Sequence, residues 1–165
     1  MFYNSNDTKS RFIEVIRENQ GLIYKVAKMY SNSFEDEQDL YQDIVYQLWK
    51  SYPSFRNESK ITTWMYRIAL NTGIHYLDKG KKKAHHVAMD ESFLNRPEII
   101  DASEQERHDI LFARIKNLND IERGIIFLYL EGKSYDEIAM ITGFTNTNIG
   151  TRLGRIRQKL TSQIN

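Results

Sequence analysis

The chain has 165 residues, 41% of them hydrophobic and 27% charged, with a formal net charge of +1. That length accommodates one domain or two small ones, and the near-neutral charge by itself favours no polyanion. The absence of cysteine excludes disulfides and thiolate metal sites, and no apolar run approaches the ~20 residues of a membrane helix. The longest clear apolar run is only Ile125 to Leu130. The first residues, Met1 to Asp7, lack a basic stretch followed by an apolar one, so no secretory signal is expected and a cytoplasmic protein is.

Few β-branched alternations and long helical periodicities predict an all-α chain of two small helical domains on a flexible linker. A first helix is predicted from Asp7 or Thr8 to about Tyr30, with Phe12, Val15, Ile16, Ile23 and Val26 as its inner stripe. Ser33 caps a second, from Phe34 to about Lys50, packed through Leu40, Ile44, Val45, Leu48 and Trp49. Pro53 breaks the chain in a loop over Ser51 to Glu58. A third helix is expected from Ser59 to Lys79, burying Ile61, Trp64, Met65, Ile68 and Ala69, with Gly80 ending it before Lys81, Lys82 and Lys83. The first domain is thus 1–80.

Residues 81–103 read as a linker: they hold Pro97, mixed charges and no sustained period, with Phe93, Leu94, Ile99 and Ile100 able to dock locally. The second domain, 104–165, opens with a helix that starts at about Ser103 and buries Ile110, Leu111, Ala113, Ile115 and Leu118. Asn119 caps the next, through Ile121, Ile125, Ile126, Leu128 and Tyr129, and Glu131-Gly132 closes it.

Ser134 to Gln163 reads as a helix-turn-helix. Ser134-Tyr135-Asp136-Glu137 is a capping box, in which Glu137 is expected to reach back to the cap. Ile138 and Ala139 are the buried residues of a short helix, and Gly143 supplies the positive φ of the tight turn. Thr145 or Asn146 caps the second helix, where Ile149, Leu153, Ile156 and Leu160 recur every three to four positions. Its other faces carry Arg152, Arg155, Arg157 and Lys159, with no acid from Thr145 to the end of the chain. A helix apolar on one side and cationic on the other suits a major groove lined by phosphates.

Charge is segregated along the chain. Glu35, Asp36, Glu37, Asp39 and Asp43 form an acidic cluster with no base among them. Asp39 and Asp43 are i,i+4 neighbours, with Gln42 beside them, opposite Leu40, Ile44 and Leu48, so they form a displayed stripe able to take Arg and Lys from a partner helix. In the loop, Phe55 lies among Arg56, Asn57, Ser59 and Lys60, and Arg67 and Asn71 share a face of the next helix. Aromatics among such polar groups can stack unpaired bases and hydrogen-bond their edges.

A dinuclear metal site would need a Glu-x-x-His pattern or further inward carboxylates, and neither is present. His75, His85, His86 and His108 form no catalytic constellation, since adjacent histidines in a linker do not face one site. No catalysis, metal, cofactor or small-molecule substrate is therefore expected. A stand-alone helix-turn-helix repressor or activator remains the alternative, one that leaves the acidic stripe and the Phe55 loop without a role.

The order of motifs resembles the extracytoplasmic-function (ECF) group of bacterial RNA polymerase sigma factors, in the sigma-70 family. The similarity lies in Asp39-Leu40-Tyr41-Gln42-Asp43 leading to Leu48-Trp49, then Phe55-Arg56, then Thr63 to Asn71. It resumes with Leu118 to Arg123, Glu131 to Ala139 and Arg152 to Arg157. The resemblance implies that residues 1–80 form sigma region 2, which binds the clamp helices of core RNA polymerase through Asp39, Leu40, Gln42, Asp43 and Trp49. It implies that Phe55, Arg56, Asn57, Ser59, Lys60, Arg67 and Asn71 face the melted non-template strand of the minus-ten element. Residues 104–165 would form region 4, touching the polymerase flap and reading the duplex minus-thirty-five element through Thr147, Asn148, Thr151, Arg152 and Arg155. Members of the family are commonly held inactive by an anti-sigma factor, which the resemblance adds as a partner. Gly150 and Gly154 depart from the family pattern; at i,i+4 they are expected to share a face that brings backbone close to DNA.

Overall fold

The computed structural model describes residues 5–83 and 102–162, which form eight α-helices, one short 3-10 turn and no strand. The chain divides into two compact units, Met1–Val87 and Ala88–Asn165. The linker expected over 81–103 lies, for residues 84–101, outside the described residues, as do His85, His86 and Pro97.

In the first unit the expected first helix is two, α1 (Ser5–Glu18) and α2 (Gln20–Met29). The break falls at Asn19, whose φ of −123° and ψ of 23° leave the helical region. Its side-chain amide donates to the Val15 carbonyl at 2.8 Å, a local bond that competes with the helical ladder. Helix α3 (Phe34–Ser51) begins where expected, with the Ser33 hydroxyl accepting from the Asp36 amide at 3.1 Å. Tyr52–Ser54 is the 3-10 turn, and α4 runs Ile61–Lys83. Gly80 therefore does not end α4. One interior glycine costs about 1 kcal/mol, which a long helix absorbs.

Helix α3 packs on α2 and α4, and α2 also packs on α4. Ile23, Val26, Ala27, Tyr30, Leu40, Ile44, Leu48, Met65 and Ala69 are fully buried between them. Phe12 of α1 joins this core from one side, its ring 5.0 Å from Trp49 and 5.3 Å from Tyr52. Trp49, expected as a packing residue, keeps 41% of its surface exposed.

The second unit comprises α5 (Ala102–Lys116), α6 (Asp120–Leu130), α7 (Tyr135–Thr142) and α8 (Asn146–Ser162). Helix α6 packs against the other three. The Asn119 side chain caps it by accepting from the Glu122 amide at 2.8 Å. Its end is a Schellman motif: Lys133 N–H bonds the Leu128 carbonyl and Gly132 N–H the Tyr129 carbonyl, with Gly132 at φ 83°. Ile125, Leu128, Ile138, Ile149, Leu153 and Ile156 are fully buried. Of the stripe expected on α5, Ile115 is buried, but Ile110 and Leu111 are exposed, as is Ile121 on α6. Helix α5 packs chiefly on α6, and one neighbouring helix covers too little of α5 to bury its whole stripe.

Candidate nucleic-acid interface

Helix α3 presents Asp39, Gln42 and Asp43 to solvent. Leu40, grouped with them in the sequence, is 0% exposed and belongs to the core, because a residue one step along the helix is rotated by about 100°. Asp36, a turn earlier, is half-buried and accepts from the Tyr76 hydroxyl at 3.1 Å. Burial first, then the Asp36 charge and hydrogen bond, with Asp39 and Asp43 adding to it, push the Tyr76 hydroxyl well above its ordinary pKa. A tyrosine from α4 thus lies against the acidic face, a contact across 40 residues that no local pattern announces.

Gln42 and Trp49 also line an open groove of about 580 Å³ between α1 and α3, walled by Phe12, Ile13, Tyr41, Val45 and Tyr46 with Lys9 at its edge. The sequence carried a sign of it in the exposed apolar Ile13, one residue off the inner stripe of α1.

The 3-10 turn hands the chain to the Phe55 loop. Phe55 N–H closes the turn on the Tyr52 carbonyl at 3.1 Å, and its ring lies 5.0 Å from Trp64, tilted 35°. Trp64 is backed in turn by Tyr52 at 6.2 Å. Both Phe55 and Trp64 are half-buried, so Trp64 serves as the floor beneath Phe55 and not as a closed core residue. Asn57 adopts φ 58°, the left-handed conformation that asparagine tolerates better than other non-glycine residues. Arg56, Asn57 and Lys60 are exposed, while the Ser59 hydroxyl is turned onto the Lys60 carbonyl at 3.3 Å. Arg67 and Asn71 are exposed one turn apart on α4.

In the second unit the Ser134 hydroxyl accepts from the Glu137 amide at 3.1 Å. Glu137 departs from the reciprocal capping box: its carboxylate accepts a hydrogen bond from the Ser134 hydroxyl at 3.3 Å and lies 3.8 Å from Lys133 Nζ. Gly143, at φ 85°, makes the turn. Thr145 is the cap of α8, its hydroxyl accepting from the Asn148 amide at 3.1 Å, whereas the Asn146 amide donates to Asp136 and ties the two helices together.

The first turns of α8 display Thr147, Asn148, Thr151 and Arg155, all exposed, with Arg152 half-buried beside them. Arg152 Nε donates to Asn148 Oδ1 at 2.6 Å, and its guanidinium lies 4.2 Å from the centroid of the Phe144 ring. The cationic face is narrower than the composition of α8 implied. Lys159 Nζ binds both Glu122 carboxylate oxygens at 2.8 Å, and Arg157 lies over Tyr129 at 4.8 Å. The two glycines, one turn apart on α8, have different surroundings. A Cβ on Gly150 would touch the Tyr135 ring of α7 at 3.5 Å, while one on Gly154 would meet nothing within 4 Å.

Residues 15–83 match the family described as sigma-70 region 2, and residues 108–160 match sigma-70 region 4. The chain is 30% identical over 156 residues to the ECF RNA polymerase sigma-E factor of Escherichia coli strain K12, covering 86% of this chain and 81% of that protein. The chain belongs to the ECF group of sigma-70 factors. The ECF sigma-E factor of Haemophilus influenzae is similarly related, 31% identical over 154 residues, with 85% of this chain and 82% of that one covered.

Among solved structures, the sigma factor RpoE from Bartonella quintana, in complex with the anti-sigma factor NepR, has the same fold. Its TM-score is 0.70 at 22% identity, over 96% of each chain. In this ECF factor the region 2 match contains the acidic face of α3 and the Phe55 loop, while the groove wall on α1, Lys9, Phe12 and Ile13, precedes it. The region 4 match contains the whole helix-turn-helix up to Leu160.

Proposed function

We infer that this ECF factor directs core RNA polymerase to specific promoters and assists their melting, acting as a non-catalytic initiation factor in the cytoplasm. The observation that carries this reading is the presence, in one chain, of regions 2 and 4 in order. The first unit, through the end of α4, holds the polymerase and the minus-ten element, the residues between α4 and α5 are the tether, and the second unit, from α5 on, reads the minus-thirty-five element and touches the flap.

Asp39, Gln42 and Asp43 supply an exposed acidic surface for basic residues of the polymerase clamp helices, and Trp49 continues it as an apolar anchor. The Phe55 loop offers a ring on a Trp64 floor, with polar side chains around it, to bases of the melted non-template strand. Opening a promoter costs about 1.4 kcal/mol per base-pair step, and stacking one base on an aromatic returns about 1–3 kcal/mol. One or two captured bases therefore offset the first steps of melting. Two weakly binding units on a tether gain strength only when both engage one polymerase–promoter assembly. An anti-sigma factor, like the one bound to the Bartonella quintana protein, acts by covering these surfaces.

In vitro transcription with core polymerase and fragmented genomic DNA tests the function, with the double variant Asp39→Arg/Asp43→Arg as control. New start sites are expected with the wild type and absent with the charge reversal. Specific duplex binding by the chain alone, without new starts, would instead establish a conventional repressor or activator.

A further inference from the structure

A half-buried ring such as Phe55 loses side-chain freedom when it captures a base, and holding it in place beforehand removes that cost. Its nearest support cannot do this alone, because Trp64 is itself half-buried and lies in the first turn of α4. The support continues behind Trp64. The Tyr52 ring lies 6.2 Å from Trp64 on one side and 5.3 Å from Phe12 on the other, at interplanar angles of 56° and 59°. Tilted aromatic pairs of this kind attract beyond the area they bury. Phe12 is the buried residue of α1, so the column Phe12–Tyr52–Trp64–Phe55 runs from a fixed foot to an accessible head. Tyr52 also holds Phe55 through the backbone, its carbonyl accepting from the Phe55 N–H at 3.1 Å.

We propose that Tyr52 and Phe12 are positioning residues for base capture, holding the Phe55 ring, through Trp64, in the orientation that stacks an unpaired base. The proposal rests on the reading of the Phe55 loop as the part that meets the melted strand. Tyr52 is the central link, because it holds Phe55 directly by the backbone and indirectly by the ring beneath it. Removing the Tyr52 ring leaves the capturing group present but loosely held. Phe12 acts from one contact further back, on a helix remote from the loop in sequence. The column uses the Tyr52 ring and not its hydroxyl, so phenylalanine serves in its place.

The test uses holoenzyme reconstituted from core polymerase and the full chain, on a promoter recovered by in vitro transcription, with opening read by permanganate. Phe12 also lines the groove beside Trp49, so every variant is compared at saturating factor. Tyr52→Leu and Phe12→Leu are each expected to lower opening about two- to tenfold, the worth of one aromatic pair. Tyr52→Phe keeps the opening of the wild type. In the Phe55→Ala background Tyr52→Leu lowers opening no further, since no ring is left to position. Its cost in a urea melt persists in that background, because the contacts with Phe12 and Trp64 are lost either way. If Tyr52→Leu does not fold, the same comparison with Phe12→Leu decides. A loss of opening that is equal with and without Phe55, or no loss at all, overturns the positioning role while leaving base capture by Phe55 intact. Full opening by Phe55→Ala alone overturns the reading of the loop, and the positioning with it.

Discussion

Gly73 and Tyr30 meet so closely that a single methyl group does not fit between them: a Cβ on Gly73 would lie 2.8 Å from two ring atoms of Tyr30. Tyr30 is fully buried at the end of α2, so its ring has nowhere to retreat. Gly73→Ala gains about 1 kcal/mol of helix propensity but meets an overpacking cost of about 1–3 kcal/mol. Net destabilisation is expected, visible as a lowered urea midpoint with an unchanged slope. A midpoint at or above that of the wild type would show that α4 can shift without cost.

The Lys159–Glu122 pair joins α8 to α6, and its two ends are unequally placed. The Glu122 side chain is 8% exposed and that of Lys159 54%. Lys159→Met leaves a nearly buried carboxylate without its cation, whereas Glu122→Gln leaves an amine that water can reach. The lysine variant should be the less stable of the two by on the order of 1 kcal/mol, an asymmetry that follows from the cost of an unsatisfied buried group. Because Lys159 is committed to this contact, its loss should change the salt dependence of promoter binding less than Arg155→Ala does. Arg155 is exposed and has no hydrogen bond or ion pair among the described residues, so its removal should lower the salt slope by about one if it meets a phosphate.

Much of this fold could be read from the sequence because its helix starts are written locally. Ser33, Asn119, Ser134 and Thr145 each cap a helix through an amide three residues on, a signal contained in four positions. The break at Asn19 escaped notice because the apolar stripe continues through it, and Gly80 misled because a glycine's cost is small beside that of a whole helix. Contacts between distant residues had no local signature: Tyr30 with Gly73, Tyr76 with Asp36, Lys159 with Glu122. The exposed side chains of the candidate site were legible, and so was the burial of Leu40, which the periodicity of α3 places in its packed stripe although the resemblance groups it with the displayed face. How those side chains are held was not legible, since Phe144 under Arg152 and Trp64 under Phe55 depend on the turn that precedes each helix.

Tyr76 gives the molecule a pH-sensitive contact. Its pKa is raised above the ordinary 10.0 in the folded chain, by burial and then by Asp36. The folded state therefore holds this proton more tightly than the unfolded one, and the stabilisation is complete below pH 10 and lost as pH rises beyond it. Chemical melts from pH 8.5 to 11.5 should show the wild type losing its advantage over Tyr76→Phe as alkalinity increases. Parallel curves for the two proteins would mean that Tyr76 titrates as it does in water.

Phe55→Ala and Trp64→Leu should differ in kind. Phe55 is half-exposed on its Trp64 floor, so its loss should remove about 1–3 kcal/mol of base stacking while sparing the fold and polymerase binding. Permanganate footprinting should then show weaker opening on duplex promoters and recovery on a template carrying a preformed bubble. Trp64→Leu removes the floor and its contact with Tyr52, so it should lower both opening and thermal stability. Undiminished opening with Phe55→Ala would remove that ring from the melting step.

Gly150 and Gly154 distinguish packing from DNA approach. A Cβ at Gly150 would make ordinary contact with Tyr135, and one at Gly154 would enter open space. Both Gly150→Ala and Gly154→Ala should therefore stabilise α8, each by up to about 1 kcal/mol. Gly154 is exposed whereas Gly150 is half-buried beside Tyr135, so the two variants should part company in the holoenzyme. Gly154→Ala should weaken use of promoters that depend on the upstream element if the glycine brings backbone close to DNA, while Gly150→Ala should leave promoter choice as it was. Equal promoter use by both variants, with both more stable than the wild type, would mean that neither glycine shapes the DNA contact.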